Sequence, residues 1–86
     1  MSKEEAGEVV RAGERYEHKK VIVEIVEVLP YFDPIGRRML SIAYRIIDGK
    51  RVSPVAHWWQ SASEDPRKYV EQIVENYLTI IKNMGI

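Results

Sequence analysis

The chain has 86 residues, a formal net charge of zero and no cysteine. That length predicts one domain over residues 1–86 with a thin core, because so small a domain hides only roughly 60% of the surface its unfolded chain exposes. A hydrophobic content of 45% and a charged content of 30% exclude disorder, and the lack of thiols excludes disulfides and cysteine metal sites.

The longest apolar-rich run, VIVEIVEVL at 21–29, is about half the roughly 20 residues of a membrane helix and contains Glu24 and Glu27. With no signal peptide read at the start, a cytoplasmic location without a membrane partner is expected. Few Asn, Gln and Thr beside abundant Glu, Lys, Arg, Val and Ile are the bias of a hyperthermophile protein.

In chain order, KEEAGEVVRAGERY at 3–16 places Ala6, Val9, Val10, Gly13 and Tyr16 near helical spacing, with acids in the first turn. This predicts a short N-terminal helix. The next segment, VIVEIVEVL, is rich in β-branched residues and alternates Val21, Val23 and Ile25 against Ile22, Glu24 and Val26, a strand pattern. Asp33, Pro34 and Gly36 then suit the first, second and fourth positions of a type I turn.

A second strand, RRMLSIAYRII, meets Asp48-Gly49, a two-residue hairpin signal. If Ile47 faces Lys50, then Leu40, Ile42, Tyr44 and Ile46 share the core face with Arg51, Ser53, Val55, His57 and Trp59. The other face then collects Met39, Ser41, Ala43, Arg45 and Ile47 with Lys50, Val52, Pro54, Ala56 and Trp58. Pro54 lacks the N–H that a ladder position needs, so the third strand is expected at an edge or with a bulge there, and a bulge would exchange the two tryptophans. Asp65 and Pro66 prepare a long C-terminal helix. Its apolar stripe is Val70, Ile73, Val74, Tyr77, Leu78 and Ile81, widened by Tyr69, Ile80 and Met84, with Gly85 as the stop. The expected class is α+β: a three- or four-stranded antiparallel sheet with a long C-terminal helix and a short N-terminal one.

Catalysis finds little support. His18 and His57 are the only neutral-pH acid–base candidates, neither lies in a recognised nucleophile arrangement, and no phosphate-cradling glycine motif occurs. A metal site would need Glu14 with His18, or His57 with distant carboxylates, so no enzyme, metal or cofactor is expected.

Charge is uneven although its total is zero: residues 36–52 carry Arg37, Arg38, Arg45, Lys50 and Arg51 against Asp48 alone. Aromatic faces beside guanidinium groups are what single-stranded nucleic acid requires, since any base can stack and basic groups neutralise phosphate. The residues expected to bind are therefore Tyr31, Phe32, Trp58 and Trp59 for stacking and Arg37, Arg38, Arg45 and Arg51 for phosphate. The alternative is a structural or adaptor protein whose second sheet face and wide helix form an oligomer or partner interface. There the arginines pair with Glu24, Glu27 and Asp33.

The order helix, three strands, helix resembles the double-stranded RNA-binding domain, but that family's KKxAK opening of the last helix is represented here by DPRKYVEQ. The sequence VIVEIVEVLPYFDPIGRRMLSIAYRI, then HWW, then a long apolar helix is similar in arrangement, over most of the chain, to the ThermoDBP-related proteins of hyperthermophilic archaea. That resemblance implies an archaeal source and small homo-oligomers that bind single-stranded DNA or RNA on an antiparallel sheet packed with helices; association by identical patches would make such an oligomer a dimer or a tetramer.

Overall fold

The computed structural model describes residues 9–85. Strands β1 (Arg15–His18), β2 (Val21–Phe32), β3 (Arg38–Asp48), β4 (Arg51–Val52) and β5 (Ala56–Ser61) precede helix α1 (Arg67–Asn83). All strand pairs are antiparallel: β1 on β2, β2 on β3, and both β4 and β5 on the far side of β3. The α+β class expected from the sequence is thus present.

The first six residues of the expected N-terminal helix, 3–8, lie outside the described residues. The remainder, 9–16, is not helical: Gly13 turns with φ +92 and Tyr16 belongs to β1. The Gly13 N–H donates to the Ile25 carbonyl, and the Ile25 N–H to the Glu14 carbonyl, each at 2.8 Å, so β-pairing with β2 replaces helical bonding. Propensity near two glycines is too weak to resist that pairing.

β1 and β2 are joined by Lys19 and Lys20, both in the left-handed region (φ 53 and 68). Such a turn ordinarily uses Asn or Gly, because a Cβ crowds the carbonyl there at a cost of roughly 1–2 kcal/mol per residue. The Lys19 Nζ lies 2.7 Å from the Glu75 carboxylate on α1, which gives that lysine a reason to stay. Lys20→Gly is therefore expected to stabilise the protein by about 1 kcal/mol, raising the melting temperature by roughly 4–8 °C; an unchanged or lower melting temperature would show that the turn is relaxed.

One face of the sheet carries α1. Val21, Val23 and Ile25 alternate inward until a bulge at Val26 shifts the phase and brings Val28 in. Leu40 and Ile42 are fully buried opposite Val70 and Val74 of the helix. The helix begins as expected: Pro66 is already helical (φ −73, ψ −13), and Asp65 Oδ1 accepts the Arg67 N–H at 3.0 Å. Its stripe outruns the sheet, leaving Ile80 and Met84 exposed. No described helix is long and apolar enough to cross a membrane.

The hairpin after β3 departs from the expected register. Asp48 pairs with Arg51, so the loop is Gly49-Lys50 and not Asp48-Gly49. This two-residue shift keeps the faces in phase. A further slip follows: Ile47 opposes Val52, yet Tyr44 opposes Ala56, so Pro54 and Val55 together span the place of one residue opposite Arg45. At the break the Ser53 N–H donates to the Ile46 carbonyl at 2.9 Å, and the Ile46 N–H finds the Ser53 hydroxyl at 2.8 Å in place of a backbone acceptor. A one-residue slip turns every later side chain over. Trp58 therefore joins Leu40, Ile42 and Tyr44 in the core, and His57 and Trp59, assigned to the core by the unbulged register, face away from the helix.

Candidate functional site

The sheet face opposite α1 is covered by no described element. Its cross-strand rows follow from the register: Tyr31, Met39 and Ser61; then Leu29, Ser41 and Trp59; then Glu27, Ala43 and His57. Because β3 supplies Ser41 and Ala43 between longer side chains on β2 and β5, the centre is a shallow trough floored by small residues. Neighbouring strands lie about 4.8 Å apart, so its walls stand roughly 10 Å from each other. Trp59 is 58% exposed and its ring lies 6.2 Å from that of His57 at 21° between planes, a stacked pair open to solvent. On the opposite wall Leu29 and Tyr31 are also exposed.

Trp58 has the other fate. It is 7% exposed, stacked on Tyr69 of α1 (5.8 Å, 6°) and tilted against Tyr44 (5.2 Å, 51°). Its indole N–H donates to Gln60 Oε1 at 2.9 Å, and the Gln60 amide donates to the Glu64 carbonyl at 2.7 Å, so the one buried polar side chain among the described residues links strand, tryptophan and loop.

The four nominated arginines do not share a surface. Arg45 is on the trough face, where its Nε meets Glu24 at 2.6 Å; Arg15 meets the other oxygen of that carboxylate at 3.0 Å. Arg45 and then Arg15 hold the Glu24 carboxyl below the usual carboxylate range. With Glu17 and Glu27 nearby, this middle band carries three acids against two arginines.

Arg51 lies on the helix side beside Tyr77, whose hydroxyl donates to Asp48 at 2.8 Å. Arg37 belongs to the turn after β2, which is as expected: the Gly36 N–H donates to the Asp33 carbonyl at 2.9 Å, and Asp33 Oδ1 accepts the Ile35 and Arg37 N–H groups. Those bonds, the Arg37 backbone first, lower the Asp33 pKa, and Arg37 Nε closes the turn on Asp33 Oδ2 at 2.6 Å. Arg38 opens β3 opposite Phe32; by alternation both lean to the helix side of the sheet, where Phe32 is 70% exposed.

Of the eight nominated residues, the trough face therefore gathers Tyr31, Arg45 and Trp59, its end adjoins Arg37 and Arg38, and Trp58, Phe32 and Arg51 lie elsewhere. Residues not nominated are prominent: Leu29, Ser41 and His57. The alternation of β5 puts His57 on the face of Trp59 and opposite Trp58, so the signal for His57 was its place two residues before the exposed tryptophan. Among the described residues no three His, Asp or Glu side chains gather as metal ligands. His18 instead meets Glu75 at 2.9 Å. No family model, curated protein or solved structure matches the chain.

Proposed function

We propose that the protein binds single-stranded nucleic acid without catalysis, at the Tyr31 and Trp59 end of the trough. The observation that carries this reading is the exposed His57–Trp59 stack on a sheet face that no described element covers. A large ring left in water on a flat surface offers a base-stacking platform that is indifferent to sequence. The acidic bias of the middle band confines phosphate to the end of the trough near Arg37 and Arg38, so the footprint is short, a few nucleotides at most. A cytoplasmic, archaeal, thermophilic protein acting as a homo-oligomer is part of the same reading.

The test is anisotropy of a labelled single-stranded oligonucleotide titrated with protein at low and high salt, with a duplex control and tryptophan emission recorded. Expected are salt-sensitive binding of the single strand and quenching of the exposed tryptophan. No binding at low salt, or tighter binding of duplex, overturns the reading.

A second reading has its own support in the Arg15–Glu24–Arg45 bridge: arginines already satisfied by carboxylates make a near-neutral face suited to another protein or a second copy in two-fold contact. A stable dimer with blue-shifted tryptophan emission, indifferent to oligonucleotide, would favour it.

A further inference from the structure

Beyond the end of the trough, where β3 begins and β5 ends, Arg37, Arg38, Ser61, Ala62 and Ser63 line an open groove of about 400 Å³. We infer that this groove is a phosphate site, and that it holds the phosphate of the strand whose base stacks on Trp59. The inference rests on the nucleic-acid reading for its ligand, though not for its chemistry.

Four polar residues, Arg37, Arg38, Ser61 and Ser63, border it where the sheet ends. The Arg37 side chain is 70% exposed, and a guanidinium presents five N–H donors in a planar fork suited to phosphate oxygens, of which Nε is engaged by Asp33. Arg38 is exposed beside it. The Ser61 and Ser63 hydroxyls lie 3.5 Å apart, close enough to reach neighbouring oxygens of one phosphate. The ladder continues past β5 through the Ala62 N–H, which donates to the Arg38 carbonyl at 3.0 Å; this bond fixes the serines against the arginines.

The nearby acids are already engaged. Asp33 is bound by Arg37, and Glu64 accepts the Ser61 N–H and the Tyr69 hydroxyl while pairing with Lys68. Arg45, by contrast, sits between Glu24 and the row of Glu27, where phosphate would meet two carboxylates. Ser61 follows Trp59 by two residues on the same face, about 7 Å along the strand. A base on the indole thus places its phosphate at the mouth of the groove.

The experiment is an amide NMR titration of the full chain with inorganic phosphate, against chloride at matched ionic strength, followed by oligonucleotide titrations across salt for the wild type, R37Q/R38Q and R45Q. Saturable shifts confined to residues 37–38 and 61–63, absent from R37Q/R38Q, are expected. Removing two phosphate contacts should flatten the slope of log affinity against log salt by about 1.4, at about 0.7 per contact for single strands, while R45Q keeps the wild-type slope. The amide spectrum itself reports whether each variant is folded.

A 5′-phosphorylated strand that binds more tightly than its 5′-hydroxyl twin identifies a terminal phosphomonoester as the occupant; equal affinity identifies an internal phosphodiester. Phosphate shifts no larger than those of chloride, or an unchanged slope in R37Q/R38Q with Trp59 still quenched, overturn the groove and leave the stacking reading intact. Phosphate shifts without any oligonucleotide binding do the reverse.

Discussion

Trp58→Ala is expected to cost about 3–5 kcal/mol of stability. An 86-residue domain has in total about 4–13 kcal/mol. The indole fills the space between Tyr44 of β3 and Tyr69 of α1 and is the main aromatic link between the sheet and the helix. Its removal leaves a cavity that two large rings cannot both collapse into, and it strips Gln60 Oε1 of its donor at a site where Gln60 is 1% exposed. Thermal unfolding followed by circular dichroism should show the melting temperature falling by roughly 12–40 °C, or no cooperative transition at all. A fall of only a few degrees would mean that the sheet and helix are held mainly by the Val70 and Val74 contacts and that the aromatic sandwich is secondary.

Trp59→Ala is expected to do the opposite in both respects. The neighbouring tryptophan is more than half exposed, so its truncation should change stability by less than about 0.5 kcal/mol. Oligonucleotide affinity should fall about 5- to 150-fold, the equivalent of about 1–3 kcal/mol for one stacked base, and Trp59→Phe should restore most of it because a smaller ring still presents a π-face. The salt dependence should persist in Trp59→Ala, since no cation has been removed. Affinity unchanged by the alanine would show that bases do not stack on this face and would leave it as a protein contact.

Much of the architecture was legible in order. Val21, Val23 and Ile25 announce their strand by alternation, Asp33 to Gly36 announce their turn, and the stripe from Val70 to Ile81 with Asp65, Pro66 and Gly85 announces the helix and its ends. β1 was hidden because RYEH has little strand character of its own and its turn uses two lysines in place of Gly or Asn. It forms because β2 offers it a ladder.

The candidate site was legible only as an inventory. Local charge density put five cations in the hairpin, but density along the chain does not say which face each residue takes. Arg45 and Arg51 leave the trough's aromatic end for Glu24 and for the Tyr77–Asp48 pair, while Arg37 and Arg38, adjacent in sequence, stay beside it.

By itself the sequence determined the α+β class, the order of elements from β2 onward, the core faces of β3 and α1, and the requirement for an irregularity at Pro54, because periodicity and backbone chemistry are local properties. Which tryptophan enters the core was decided only in the folded sheet. There Pro54 and Val55 together oppose one residue of β3, and Ser53 satisfies the amide that the slip would otherwise orphan. Trp58 and Trp59 are equally apolar and adjacent, so nothing in their own chemistry separates them; the count of residues across a ladder does.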